Sequence, residues 1–395
     1  MGGTHRLRPA ALAPGGRGRR LTTAEDALAD AFERALVRWP RDGVPGNPEG
    51  WLLTVARNRL RDVARSAAVR RTHPFDPARH DPARLDDVDP DAIGDRRLEL
   101  MLVCAHPAID RSARTPLMLN TVLGLTAKQV AAAFALPAPT VAARLVRSKR
   151  RIGAARIPFE IPDRSVLPER VDHVLEAVYG AYAVEWRIAG AVPRGTPADE
   201  ALYLAETLAD LLPGDPEAHG LAALVCFSTA RAPARLDDAG RLVPLGEQDT
   251  TRWDGALLER GRLHLRAAYA GGELGRFQLE AAIQAVHAAR ATTGTTDWPA
   301  LRDLHRHLSR LFPSLGARVA LAAVTAETDG PEAALALLDE LDEDGARFQP
   351  AWATRADLLR RLGRRAESRA AYDKAVSLTT DPAERAFLQS RRPAA

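Results

Sequence analysis

The cationic run between Thr140 and Arg156 is the stretch whose residue types and spacing most directly indicate chemistry. It contains no carboxylate, and Val141, Leu145 and Ile152 recur within it at roughly helical spacing. This pattern predicts a helix with an apolar inner face and a cationic outer face. Such a helix can enter a DNA major groove, where Arg contacts guanine edges and neighbouring cations hold phosphates. The candidate contacts are Thr140, Arg144, Arg147, Lys149, Arg150 and Arg151, with Arg156 beyond them. The alternative is a solvated basic face on a core helix.

The residues before this helix predict the element that would present it. Leu123 to Thr126 indicates a helix stop and restart, and 127–134 a short helix. Residues 135–139 then form a turn, and Thr140 caps a second helix that reaches about Gly153. The sequence therefore predicts a helix-turn-helix.

A second cationic cluster follows a tryptophan nearer the amino terminus. The cluster comprises Arg57, Arg59, Arg61, Arg65, Arg70 and Arg71. Cations beside an aromatic ring are what proteins use to hold single-stranded nucleic acid. Trp51 supplies such a ring, although its spacing from Leu52 and Val55 is equally typical of a core anchor.

Composition limits the fold class. The chain has 395 residues, which suggests two or three domains. Few β-branched runs alternate with period two, so we expect an all-α protein. The net charge is only +4, so the positive charge matters where it clusters rather than in total.

Several function classes are disfavoured. The two cysteines, Cys104 and Cys226, form neither a disulfide framework nor a metal knuckle, and Cys104 with His106 is half a zinc site that no second pair completes. No metalloprotease, phosphate-loop, nucleophile-elbow or dinucleotide motif is present. We therefore expect no enzyme activity and no cofactor. No apolar stretch approaches a membrane span, which predicts a cytoplasmic protein without a membrane partner.

The pattern along the chain predicts five segments. Residues 1–20 form a disordered tail, 21–71 a short helical module, 72–94 a linker, 95–157 the helix-turn-helix domain and 168–395 a helical extension. Thr23 is expected to cap the first helix, whose apolar stripe includes Ala31, Phe32, Ala35 and Leu36. Near the carboxyl terminus, a group of residues falls at the positions a tetratricopeptide repeat uses: Trp352, Ala356, Leu359, Gly363, Tyr372 and Ala375. Such repeats usually bind proteins.

The order of these modules resembles the extracytoplasmic-function sigma factors of bacterial RNA polymerase. Residues 24–32 look like the family's core-binding helix, 48–58 like the helix that recognises and melts the −10 promoter element, and 125–152 like the domain that reads the −35 element. The resemblance extends to a subgroup with a long helical extension, through Cys104 to Ala108, Glu247 to Asp249 and Arg252 to Asp254.

This resemblance implies roles for particular residues. Polymerase core would bind Glu25, Asp26, Asp30 and Glu33, although ordinary helix solvation also explains these acids. The −10 element would contact Trp51, Arg57, Asn58, Arg59 and Arg61. Asp329, Gly330 and Pro331 would contribute to a contact made by the extension, or simply form a tight helix connection.

The implied function is a sigma factor that binds core RNA polymerase and promoter DNA, with an extension that regulates it or binds a further protein. The family normally has a full helix before its core-binding helix, where this sequence has a tail rich in Gly, Arg and Pro before Leu21. Two alternatives follow: a DNA-binding regulator that has lost polymerase docking, or a helical-repeat scaffold.

Overall fold

The computed structural model describes residues 29–37, 52, 55–56, 96–134, 136–154, 168–187, 197–269, 274–341, 343–379 and 381–394. Regular structure in this part of the chain is helical, with one isolated antiparallel bridge between Leu236 and Leu242. The prediction of an all-α fold is confirmed.

The chain divides into two compact units. Unit 1 comprises Met1–Leu117 and Pro139–Leu167, and unit 2 comprises Met118–Ala138 and Pro168–Ala395. The division cuts through the module predicted at 95–157, because it assigns Met118–Ala138 to unit 2. The predicted segment boundaries stay predictions.

Several predicted features lie outside the described residues. They are the tail, the linker, the cap Thr23, and the candidate residues Glu25, Asp26, Trp51, Arg57, Asn58, Arg59 and Arg61.

In the amino-terminal part of unit 1, residues 29–37 are helical. Ala31 is fully buried against Ala56, with Leu52 and Val55 packed beside them. Phe32 and Leu36, which were predicted to share this apolar face, are instead 50% and 77% exposed. The small alanines allow close packing, and the larger side chains lie outside that contact.

The helices that follow are α1 (Arg96–Cys104), α2 (Arg111–Thr121), α3 (Ala127–Ala133) and α4 (Ala138–Ala154). The predicted stop and restart is confirmed. Gly124 has a φ of 71°, which only glycine adopts easily, and Thr126 and Gln129 form a capping box at the start of α3.

The prediction that Thr140 caps the second helix is wrong, because α4 already begins at Ala138. Pro139 lies in the first turn, where its missing N–H costs no hydrogen bond and its fixed φ favours the helix. Thr140 is therefore a half-buried residue within the helix.

Unit 2 contains eleven further helices among its described residues. They are α5 (Pro168–Arg187), α6 (Pro197–Leu211), α7 (Pro216–Ala230), α8 (Gly255–Ala268), α9 (Arg276–Thr293), α10 (Trp298–Leu311), α11 (Leu315–Thr328), α12 (Pro331–Asp339), α13 (Gln349–Arg361), α14 (Arg365–Leu378) and α15 (Pro382–Arg391). From α5 onward, helices that are consecutive in sequence pack against each other. The result is a stack of helical hairpins.

Asp residues begin several of these helices. Asp215 accepts hydrogen bonds from the Glu217 and Ala218 amides at 2.9 Å, directly before Pro216 at the first position of α7. Asp297 likewise accepts a hydrogen bond from Ala300 at the start of α10. These caps satisfy amide groups that the helix itself leaves unpaired, so the hairpin turns are set locally.

Helices α13 and α14 form a hairpin that packs through small and aromatic side chains. Ala356 and Ala375 are fully buried, Tyr372 is 3% exposed, and the Ser368 hydroxyl donates to the Ala356 carbonyl at 2.8 Å. Gly363, with a φ of 73°, makes the turn from α13 to α14. Three of the residues predicted from the repeat pattern, Ala356, Tyr372 and Ala375, are therefore buried in this hairpin.

Candidate nucleic-acid interface

Helix α4 has one buried face. Val141, Leu145 and Ile152 are 1%, 5% and 6% exposed, as the spacing predicted, and Ser148 joins them at 6%. No acidic residue lies in this helix. Burial of this apolar face fixes the rotation of α4, which decides where its cations point.

Three of those cations line a cleft in unit 1. Arg144, Arg147 and Arg151 lie three and four residues apart on one side of α4, and Arg144 is the most buried of the three. The opposite wall is the segment 107–114, and the cleft has a volume of about 680 Å³. The spacing places all three guanidinium groups toward one concave surface.

The opposite wall adds two more arginines, Arg111 and Arg114, from the first turn of α2. Arg114 is held in place because its Nε donates to the Ile109 carbonyl at 3.1 Å and a terminal nitrogen donates to the Pro107 carbonyl at 3.3 Å. Five arginines thus line the cleft, which the positive end of the α2 dipole also approaches.

Of the described residues that line this cleft, Asp110 is the one with an acidic side chain. It begins α2 by accepting hydrogen bonds from the Ser112 amide at 2.8 Å and the Ser112 hydroxyl at 2.6 Å. These bonds hold the pKa of the Asp110 carboxyl below its usual range, and Arg144 and Arg114 act in the same direction. Asp110 therefore stays ionised without neutralising five arginines.

The structure divides the residues predicted to contact DNA. It brings Arg144, Arg147 and Arg151 together in the cleft, whereas Thr140, Lys149 and Arg150 are not among its lining residues. Arg150 is exposed elsewhere on α4, and Lys149 is half-buried and lies near Cys104. Sequence reasoning missed Arg111, Arg114 and Ser148. The sequence signal that could have identified Arg111 and Arg114 is the helix-capping residue Asp110 directly before two arginines that are three residues apart.

The described polymerase candidates lie on the helix at 29–37. Asp30 is half-buried and forms an ion pair with Arg34 at 3.1 Å, while Glu33 is exposed. Beside them, Phe32, Leu36 and Val37 are at least half exposed. This helix thus presents an acid next to uncovered apolar side chains.

In the extension, Asp329 ends α11 and forms an ion pair with Arg302 of α10 at 2.6 Å. Gly330 has a φ of 94° and precedes α12, which begins at Pro331. This conformation is open to glycine and strained for other residues. The three residues therefore make a tight connection between helices, as the structural alternative predicted.

The cysteines and histidine considered for a zinc site have other surroundings. Cys104 is buried, and burial raises the pKa of its thiol to about 12, while the His106 ring accepts a hydrogen bond from the Ala108 amide. Within the described ranges, no cluster of three or more His, Cys, Asp or Glu side chains could hold a metal ion. Nor does any described helix combine the length and apolar character that a membrane crossing requires.

Comparisons with known proteins identify parts of the chain. Residues 16–71 match sigma-70 region 2. This part of the chain is therefore similar to the second conserved region of sigma-70 factors. Its region 2 supports a sigma-factor-like role in RNA polymerase binding. Sigma factors are transcription initiation factors rather than enzymes.

Two further comparisons concern larger parts of the chain. Residues 170–269 match a family of unknown function (DUF6596). An uncharacterised protein of Rhizobium meliloti (strain 1021) is 34% identical over 382 residues, which cover 94% of this chain and 89% of that protein, so the two belong to one family. No solved structure matches significantly.

Proposed function

We propose that this protein is a sigma factor of the extracytoplasmic-function type that binds core RNA polymerase and directs promoter-specific initiation. The observation that carries the proposal is the arginine cleft, because it occurs in a chain that also contains a region 2. A polymerase-binding region and a separate cationic surface are the two parts that promoter selection needs.

The cleft suits the backbone and base edges of duplex DNA. Arg111, Arg147 and Arg151 are exposed and can neutralise phosphates. Arg144 is more buried and near enough to Asp110 for their charges to interact, so its orientation is more restricted, as a base-reading side chain requires. We assign the −35 contact to this cleft, with Thr140, Lys149 and Arg150 flanking it.

Region 2 would supply the remaining contacts. Trp51, Arg57, Asn58, Arg59 and Arg61 would hold the −10 element. Glu25, Asp26, Asp30 and Glu33 would complement a basic surface of polymerase core. The exposed Phe32 and Leu36 favour this docking, because apolar side chains beside an acidic patch are typical of protein interfaces.

The extension would be a regulatory or protein-binding part, and the burial of Ala356, Tyr372 and Ala375 between α13 and α14 supports a tetratricopeptide-like repeat there. No bond-making step or cofactor is assigned to this chain, because polymerase joins the nucleotides. The protein would act at the nucleoid in the cytoplasm, where its two partners are.

The test is complex formation with core polymerase, followed by run-off transcription from the promoter upstream of its own operon. We expect a stable complex and specific transcripts. The double variant Arg144→Gln/Arg147→Gln should keep core binding and lose transcription, which separates DNA recognition from docking.

Other outcomes correspond to the alternatives. Folded protein that binds DNA without binding core would be a regulator. Folded protein that binds neither would be a helical scaffold, and the sigma proposal would then be wrong.

A further inference from the structure

A cavity in unit 2 has the features of a small-molecule site. Its volume is about 590 Å³, within the range of ligand pockets. The residue that follows α7 lies at one end of this cavity. Its walls are formed by α9, α11 and α13, with two further residues from α10. Its apolar lining includes Ile283, Trp298, Val324 and Leu358.

A buried cation lies in this cavity. Arg231, the residue that follows α7, is 6% exposed. Its Nε donates to the Phe227 carbonyl at 3.3 Å, and a terminal nitrogen donates to the Gln284 side-chain oxygen. Both acceptors are neutral, so they satisfy hydrogen bonds without balancing the charge.

No carboxylate among the described residues contributes to the electrostatic surroundings of Arg231. Burial lowers the pKa of Arg231 to about 10, and the described groups that add to or oppose this shift are Tyr182, Arg235 and Arg290. None of these is a carboxylate. Burying a charge is costly unless an opposite charge accompanies it, so the cavity favours an anion.

Two uncharged histidines line the same cavity. Burial, helped by Arg231, lowers the pKa of His287 to about 3, and burial lowers that of His305 to about 4. His305 is 8% exposed, and its Nδ1 atom has no hydrogen-bond partner among the described residues. A bound anion would provide acceptors beside these rings.

The carboxylates of this cavity already have partners. Glu327 pairs with Arg361 at 2.6 Å, and Asp357 pairs with Arg360 at 2.7 Å. All four side chains are between 31% and 45% exposed. The charged pairs thus mark the more solvated part of the cavity, while Arg231 lies at its buried end.

We propose that this cavity binds a small organic carboxylate, with the carboxyl group on Arg231 and an apolar body against Ile283, Trp298, Val324 and Leu358. An inorganic anion would satisfy the charge but leave most of the volume unfilled. The site is additional to the DNA and polymerase surfaces and does not depend on them.

The experiment uses the full chain and 4-phenylbutyrate as the probe, with calorimetric titration and thermal shift as readouts. Its uncharged amide and inorganic phosphate are the matched ligands. We expect saturable binding of the carboxylate, a higher Tm, and at least about tenfold weaker binding of both matched ligands, since a charge-assisted hydrogen bond is lost in one and the apolar contacts in the other.

Two variants test the location. Arg231→Gln should weaken binding of the carboxylate about tenfold or more, while the exposed Arg241→Gln serves as the control. Because Arg231→Gln also removes a bond to the Phe227 carbonyl, Ala323→Leu, which fills the cavity from α11, tests the site without changing that bond.

The outcomes are distinct. Carboxylate binding that both cavity variants weaken supports the proposal. No saturable binding, equal binding of the amide, equal binding of phosphate, or binding unchanged in the folded cavity variants overturns it. DNA binding and transcription are separate readouts, so failure here leaves the sigma proposal intact.

Discussion

Arginine serves opposite purposes in the two units. In unit 1, five arginines line a cleft, and three of them, Arg111, Arg147 and Arg151, are exposed. In unit 2, the buried Arg231 lies in a cavity with many apolar lining residues, and neutral acceptors hold its guanidinium group. Exposed cations retain their hydration and suit a large polyanion, whereas a buried one favours a single small counter-ion. Exposure, more than residue type, therefore indicates which kind of anion each site would bind.

The largest expected difference between the cleft and the cavity is in how strongly salt weakens binding at each. If Arg111, Arg147 and Arg151 each neutralise one phosphate, raising salt from about 50 to 200 mM should weaken duplex binding by roughly 40-fold, at a slope of about 0.9 per contact. Binding of 4-phenylbutyrate in the cavity should change by less than about threefold, because buried charges are screened less. Fluorescence anisotropy and calorimetry at four salt concentrations measure both. Equal salt slopes would remove the distinction.

Acid should affect unit 2 through its buried histidines. The pKa values of His287 and His305, about 3 and about 4, lie below the ordinary value of 6.5, so the unfolded chain takes up protons first as pH falls. Their stabilising contribution is complete above pH 6.5 and is lost toward the folded values. From about pH 6.5 to 5, each should lower the free energy of unfolding by up to about 2 kcal/mol.

Chemical denaturation across that pH range checks this expectation. His305→Gln should remove the part of the pH dependence that His305 contributes, and the exposed His307→Gln on the same helix is the control. An unaltered slope in His305→Gln would contradict the assignment.

The close approach of α7 and α9 should make Gly220 sensitive to any side chain. An added Cβ would lie 2.7 Å from the Gln278 amide nitrogen and 2.8 Å from the Phe277 carbonyl carbon, so the backbones must separate. We expect Gly220→Ala to destabilise the protein by about 2 kcal/mol and to weaken probe binding in the cavity. Gly246→Ala is the control, because its added Cβ would meet no atom within 4 Å. Equal Tm values for the two variants would show that the approach is looser.

The smallest expected effect tests the cleft residues that the sequence reading missed. Arg111→Gln should weaken duplex binding by about 1 kcal/mol at moderate salt and reduce the salt slope by roughly one unit. Arg150→Gln, on α4 but outside the cleft lining, should have a smaller effect. The reverse order would place the DNA on another side of α4.

The sequence predicts the local features of this fold. It does not predict the features that form when segments distant in the chain pack together. The inner face of α4, the restart at Thr126 and the turn at Gly330 follow from periodicity, capping and glycine conformation. Arg111 and Arg114 join Arg144 through packing that no local spacing encodes. Arg231 is indistinguishable in sequence from a solvated arginine, because its burial depends on helices that follow it in the chain.

The placement of Thr140 shows a narrower failure. Thr is a good cap, and the sequence pattern places Pro139 in the turn, yet proline in a first turn favours the helix that it begins. The preference of Thr for the capping position and the preference of Pro for the first helical turn predict different starts for α4. The structure follows the preference of Pro, which depends on its fixed φ angle.

The wall of the unit 2 cavity also has a mechanical consequence. Since α7, α9, α11 and α13 belong to successive hairpins, a molecule that fills the space between them would contact several hairpins at once. Helical hairpins that contact mainly their neighbours would then resist bending more strongly when the cavity is occupied than when it is empty. The stiffness of the extension would then depend on the concentration of a metabolite.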